Sequence, residues 1–262
     1  MINFRIFGML LHQALSFSRP LMHIPHSEAI FWPGCALLML DREILEETMQ
    51  VLRRADPDIR LAAGCCGQPT RHLLPEEEQR RTALLTDRLR RQGVRRIYTA
   101  CPSCTLQMGE LNGFEVIPVW PVLAAHCTAA DLSKHEGSFV WHDPCPTRQD
   151  PVQLEAVRKL LNTSGCDWIE ANRSGSTSLC CGNFRMLHIS DPERSQKVRS
   201  RCLAEMDERR TILSCCEGCL SSFRTNGRQT MHLLELLFGT SATRGWKNRI
   251  LTTILCNKKE KL

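Results

Sequence analysis

The chain of 262 residues has a single tyrosine, and aromatic residues make up only 6% of it. Sequence-tolerant nucleic-acid binding needs aromatic platforms set among basic side chains. No such interleaving occurs here, so nucleic acid is excluded as a partner. Long apolar runs are also scarce. Ile6–Leu11 is followed at once by His12 and Gln13. It falls far short of the ~20 residues a membrane-spanning helix needs, and it lacks the cleavage site of a secretory signal. The chain therefore reads as cytoplasmic, with peripheral contact at the inner face of a membrane as its one remaining membrane role. Net positive charge is scarce over most of the length. The total is +6, and the segment from Arg244 onward, with Arg244, Lys247, Arg249, Lys258, Lys259 and Lys261 against Glu260, supplies all but about one of it. A nucleic-acid binder would spread its charge over a face.

Cysteine is abundant, at fifteen residues. A chain of this length buries a sizeable core without covalent staples. So many thiols point to metal or redox chemistry in a reducing compartment. Ten of them form a duplicated unit. Cys35, the pair Cys65–Cys66 before Gly67, and Cys101-Pro-Ser-Cys104 make the first copy. Cys145, the pair Cys180–Cys181 before Gly182, and Cys216-Glu-Gly-Cys219 make the second. One shift of 115 positions maps the pairs and the CxxC motifs onto each other, whereas 29 residues separate the lead cysteine from the pair in the first copy and 34 separate them in the second. Cys127, Cys166, Cys202 and Cys256 have no counterpart and read as small buried hydrophobes. Cys215 aligns with Ala100 and reads as an extra.

Short apolar segments alternate with helical patterns in both halves. Ala29–Trp32, Ile59–Ala63, Arg96–Thr99 and Phe114–Val119 read as strands in the first half. Ser138–His142, Cys166–Ile169 and Thr211–Ser214 do so in the second. Helices are expected at 37–52, 75–91, 153–161 and 192–208, and Met231–Leu237 reads as a closing amphipathic helix. In the helix at 75–91, Leu84, Leu85 and Leu89 form the expected buried face. Such alternation argues for parallel sheets flanked by helices. The cysteines directly follow strands, so five thiols of one copy gather at the carboxyl edge of one sheet, where ligands of open α/β sheets bind. The expected organisation is an N-terminal helix or extension (1–27), a first repeat (28–133), a second repeat (138–239) and a basic tail (240–262). The N-terminal helix is expected to pack on the body or on a partner.

Three chemistries remain open to the duplicated thiols. Structural zinc takes four ligands, commonly from two CxxC-like pairs; each copy has one such pair and one thiol too many. Dithiol exchange needs only a CxxC opening a helix. An iron–sulfur cluster takes thiolates on several irons, and so accommodates five sulfurs and an adjacent pair.

The two CysCysGly–CxxC units, with His142-Asp-Pro-Cys145 and Met231-His-Leu-Leu-Glu-Leu-Leu237, resemble the CCG-domain or cysteine-rich-domain proteins over about residues 29–238. The cysteine-rich subunit of heterodisulfide reductase and the iron–sulfur subunits of anaerobic glycerol-3-phosphate dehydrogenase and glycolate oxidase belong to that group. The resemblance implies two tandem Rossmann-like repeats with cysteine clusters at the C-terminal strand ends. It implies a non-cubane [4Fe-4S] cluster on Cys35, Cys65, Cys66, Cys101 and Cys104, and another on Cys145, Cys180, Cys181, Cys216 and Cys219. One or two clusters are thus expected, with zinc left open in the first repeat. Many relatives also carry cubane clusters on a CxxCxxCxxxCP run; this sequence has no such run. An electron-donating iron–sulfur or flavin subunit is therefore the expected partner, with a small disulfide-type molecule as acceptor.

His142 is a candidate proton donor to a leaving thiolate, and its alternative is to orient the Cys145 loop. Trp120 is expected in the core and Glu235 on a helix surface. The leading functional reading is an oxidoreductase subunit. The alternatives are an electron-relay subunit of a membrane-associated dehydrogenase and a zinc-stabilised interaction module.

Overall fold

The computed structural model describes residues 4–259. The outermost positions of the expected extension (1–3) and basic tail (260–262, with Glu260 and Lys261) lie outside the described residues. The chain divides into two compact units. One holds everything up to Val119 together with the segment from Ser241 onward; the other is Trp120–Thr240.

The first unit opens with α1 (Phe4–Ser16). It buries Met9, Gln13 and Ser16 and leaves Phe7, Leu11 and Leu15 exposed. Then come β1 (Ala29–Trp32), α2 (Arg42–Leu52), β2 (Arg60–Leu61), α3 (Gln68–Arg71), α4 (Pro75–Arg91), β3 (Arg96–Thr99), α5 (Pro102–Met108) and β4 (Glu115–Pro118). All four strands are parallel, in the order β2-β1-β3-β4, with Phe31 opposite Leu61 and Tyr98. β1 is apolar and wholly buried, as a central parallel strand covered on both faces must be. α4 starts on Pro75 with Glu76, Glu77 and Glu78 in its first turn and ends on Arg88, Arg90 and Arg91, which matches the helix dipole at both ends. Leu85 and Leu89 are buried, but Leu84 faces solvent, so the expected three-leucine face is two wide.

The second unit repeats the plan. α6 (Val119–His126) starts at the boundary. β5 (Ser138–Trp141), α7 (Pro151–Ser164), β6 (Asp167–Glu170), α8 (Leu187–Ser190), α9 (Pro192–Leu203), β7 (Thr211–Ser214), α10 (Glu217–Arg224), β8 (Thr230–His232) and α11 (Leu233–Phe238) follow. The sheet is again parallel, in the order β6-β5-β7-β8, with Val140 opposite Ile169 and Ile212. Aspartates cap two helices: Asp150 accepts from the Gln153 amide at 3.0 Å, and Asp191 from the Arg194 amide at 3.0 Å, satisfying amides that the first turn leaves without partners. Trp120 is core, as expected, with its ring 6.1 Å from that of His232.

The last strand differs from the expected closing helix. Met231 and His232 pair with Leu213 and Ser214 as β8, because tertiary pairing outweighs the local helical pattern. The helix begins only at Leu233 and is buried all round. Glu235 is consequently buried rather than on a surface, and its carboxylate accepts from the His232 amide at 3.0 Å to cap its own helix.

The basic tail forms α12 (Trp246–Lys259). Asp41 anchors its start, accepting from the Ala242 amide at 2.6 Å and from Asn248 Nδ2 at 2.9 Å. The usual amphipathic pattern is inverted: Arg249, Thr252 and Thr253 are buried, whereas Ile250, Leu251, Ile254 and Leu255 are exposed. Among the described residues, no helix is long and apolar enough to cross a membrane.

Candidate metal centres

In the first unit, three strand ends deliver five thiols to one sheet edge. Cys35 follows β1 through Gly34, the pair Cys65–Cys66 follows β2, and Cys101 caps α5 directly after β3 with Cys104 in its first turn. Gly34 has a φ of 93°, and a Cβ there would lie 3.0 Å from Cys104 Sγ and 3.1 Å from Cys101 Cβ. Only glycine lets the Cys35 loop approach the CxxC turn this closely.

The sulfurs contact one another in the order Cys35, Cys65, Cys66, Cys104, Cys101. Hydrogen bonds from the Cys35 thiol, and next from Cys66, hold Cys65 well below the ordinary thiol range. The donor, Cys35, is pushed up by that same bond and by burial. Cys65 Sγ also accepts from the Gly67 amide at 3.5 Å. One thiolate is thus favoured at the head of the adjacent pair.

The second unit contains the same arrangement. Cys145 follows β5, and Cys145 Sγ lies 4.0 Å from Cys180 Sγ. The contacts continue through Cys181 and Cys219 to Cys216. Cys180, the counterpart of Cys65, is lowered by the Cys145 thiol and next by Cys181, while Cys145 is raised by donating. The Gly182 amide donates to Cys180 Sγ at 3.4 Å. Here the turn is braced from behind: Ser195 Oγ donates to the Gly182 carbonyl at 2.8 Å, and Ser222 Oγ donates to the Cys181 carbonyl at 2.6 Å. Buried Arg199 donates to Ser222 Oγ at 2.7 Å. Nothing in the spacing of these serines or of Arg199 marks them in the sequence.

His142 lies behind the second set. Its ring stands edge-on to Phe223 at 4.9 Å, and Nδ1 is 3.9 Å from Cys202 Sγ. Burial lowers its pKa to about 4, against a smaller opposing pull from Asp143. Asp143 is buried too. Desolvation raises its pKa, but hydrogen bonds from Arg158 and Trp141 outweigh burial and hold it below the ordinary carboxylate range. Arg158 makes a two-pronged contact with it at 2.7 and 2.6 Å, and the Gly175 amide adds a third donor at 2.7 Å. The His-Asp-Pro-Cys stretch is thereby fastened to α7 and to the loop after β6.

Of the cysteines outside the two sets, Cys202 and Cys215 are buried, but Cys127, Cys166 and Cys256 are only partly covered. These last three depart from the burial expected of them. Cys166 adjoins β6, an edge strand with little burial, and Cys256 lines an open groove of about 1250 Å³ at the amino ends of the first sheet's strands. That groove faces away from the thiols.

The first set gains contacts that its repeat does not supply. Gln13 of α1 donates from Nε2 to Cys65 Sγ at 3.4 Å, and the same nitrogen lies 3.1 Å from His12 Nδ1. His12 Nε2 lies 3.5 Å from Nη1 of Arg249 on α12. The Trp246 ring packs edge-on against His12 at 5.5 Å and under the Arg249 guanidinium at 4.9 Å.

Five soft sulfur donors and a favoured thiolate in each unit, with a close-approach glycine in the first, fit a thiolate-ligated iron–sulfur group. Among the described residues, no three His, Cys, Asp or Glu side chains are grouped as for a single metal ion. The family model for the cysteine-rich domain, CCG, matches residues 29–109 and again 139–224. The chain belongs to the cysteine-rich domain family. The CCG domain is found in iron–sulfur oxidoreductase subunits, giving this member an iron–sulfur-type redox or electron-transfer role. No curated protein matches the sequence. A solved structure of Picrophilus torridus aspartate racemase is similar at 9% identity and a TM-score of 0.36, covering 85% of this chain and 97% of that one. That likeness carries no functional argument.

Proposed function

We propose that the chain is the iron–sulfur redox subunit of a heterodisulfide-reductase-like complex, delivering electrons to a disulfide-type or other small-molecule acceptor. The observation that carries this reading is the repeated order of sulfur contacts: lead cysteine, adjacent pair, then the second and first cysteines of CxxC, in both units. Cys35, Cys65, Cys66, Cys101 and Cys104 would hold one non-cubane [4Fe-4S] cluster, and Cys145, Cys180, Cys181, Cys216 and Cys219 the other. Such clusters, when bound, supply electron transfer at potentials set by nearby charge, hydrogen bonds and solvent exposure.

The chain's own groups orient and protect the thiols. The Gly67 and Gly182 amides donate to the leading sulfur of each adjacent pair, and Ser195 and Ser222 fix the backbone of the second turn. Breaking a disulfide consumes two electrons and leaves two thiolates, each of which then takes a proton. The electrons would come from an iron–sulfur or flavin subunit in the cytoplasm. Of the two roles open to His142, positioning has the support: with a pKa near 4 it is neutral at neutral pH, and its ring is packed on Phe223.

The test is oxygen-free purification followed by iron, acid-labile sulfide and zinc analysis and an EPR spectrum. About eight irons and eight sulfides per chain are expected for two four-iron clusters. Zinc without sulfide would overturn the reading and leave a structural metal protein.

A second reading, a relay subunit of a membrane-associated dehydrogenase, is favoured by the exposed apolar side chains of α1 and α12. A fully loaded chain that fails to cleave a small disulfide with reduced viologen would select it.

A further inference from the structure

Arg249 is wholly buried. Among the described residues its Nε and Nη2 have no hydrogen-bond partner, and Nη1 reaches only His12. A guanidinium is always charged, and a buried charge without a counter-ion is strongly disfavoured. Its surroundings say what is missing. His12 and Gln13 connect it to Cys65. Gln13 also leaves its Oε1 unpaired and buried. Five thiolates around an iron–sulfur group form an anionic centre, and such a centre is the counter-ion that this cation lacks.

We propose that Arg249, held over the first thiol set by α1 and α12, is the counter-charge of the cluster bound there and makes that cluster more easily reduced. His12, Gln13 and Arg249 all lie outside the segments that match the family, 29–109 and 139–224. This counter-charge is therefore added by α1 and α12 rather than by the repeats. A fixed positive charge close to a cluster favours the reduced, more negative state, and burial keeps water from screening it. Arg249 acts here as a positioning and charge-setting residue, not a catalytic one. The inference rests on the clusters of the proposed function.

The experiment uses the full chain with its clusters, in the wild type and the variants Arg249→Gln and Arg249→Lys. Iron and sulfide are measured first, and the midpoints are then read by EPR-monitored redox titration. Arg249→Gln is expected to lower one midpoint by at least a tenfold change in the oxidised-to-reduced ratio, ~59 mV for one electron, with the other unmoved. Arg249→Lys, which keeps the charge, is expected to restore most of the shift. Loss of one cluster in Arg249→Gln but not in Arg249→Lys would also support the charge. Unmoved midpoints in a fully loaded Arg249→Gln chain, or equal cluster loss in both variants, would overturn the inference and leave Arg249 a packing residue. A wild-type chain without iron and sulfide would overturn the functional reading, and this inference with it.

Discussion

Replacing the three glycines at the thiol turns with alanine is expected to produce graded costs. Gly67 and Gly182 follow equivalent cysteine pairs and have nearly the same φ, 86° and 87°. A side chain at either position costs about 1–2 kcal/mol in backbone strain. Their surroundings differ. A Cβ on Gly67 would meet the Phe17 ring at 3.5 Å, an ordinary contact. A Cβ on Gly182 would lie 2.5 Å from the Ser195 backbone carbonyl in α9. That atom cannot step aside without shifting α9 and stretching the Ser195–Gly182 bond, so overpacking adds about 1–3 kcal/mol. Gly182→Ala is therefore expected to cost ~2–5 kcal/mol against ~1–2 for Gly67→Ala. Gly34→Ala lies between, because its obstacles are the side chains of Cys104 and Cys101. It displaces ligands rather than backbone, so its larger effect is on metal content.

Urea denaturation of the three variants gives the stability order, and iron per chain gives the site. Gly34→Ala is expected to halve the iron by emptying the first set, and Gly182→Ala by emptying the second. Equal costs for Gly67→Ala and Gly182→Ala would refute the packing argument. Full iron in Gly34→Ala would refute the close approach of Cys35 to the CxxC turn.

Three further outcomes follow from the same geometry. The pKa of His142 drops from 6.5 unfolded to about 4 folded, so the unfolded chain binds the extra proton and stability falls as pH drops from ~6.5 to ~4; His142→Gln should flatten that window by roughly 3 kcal/mol, and an unchanged pH–stability curve would show the ring to be accessible. Asp143 is shifted downward by its partners, so its stabilisation holds above the unfolded carboxylate pKa and vanishes as pH falls through the lower folded value. Asp143→Asn breaks a buried pair with Arg158 and should cost ~3–5 kcal/mol, and a loss under ~1 kcal/mol by denaturant titration, the level of an exposed pair, would contradict the burial. Leu251→Glu with Ile254→Glu on the exposed face of α12 should abolish association with a co-purifying donor subunit at unchanged iron content and melting temperature; retained association would move the contact elsewhere.

The thiol sites were legible in the sequence because their chemistry is encoded twice. A duplicated cysteine pattern placed after duplicated strands carries its own check, and the short apolar strands of a parallel sheet need little beyond local composition to be found. β8 was not legible, because Met231 and His232 sit in a segment whose leucines repeat at helical spacing. Only the pairing of Met231 with Leu213 turns its first residues into a strand. Glu235 was misjudged for a related reason. A buried carboxylate is unfavourable without a donor, and its donor, the His232 amide, is in place only because β8 ends there and α11 begins.

The chain's ends were the least legible part, and the reason is physical. A basic C-terminal segment is ordinarily a solvated tail, and a short apolar N-terminal helix is ordinarily a packing element. Both readings assign each residue by its own type. In the fold, α12 instead buries its Arg249 and exposes its leucines, which is stable only if something beneath the helix rewards a cation. The five thiols of the first set are what lies along the path from Arg249 through His12 and Gln13. The inverted helix and the thiol set thus explain each other. Neither the charge of the tail nor the cysteine spacing alone implies the pairing, because it exists only where the two ends of the chain meet the first repeat.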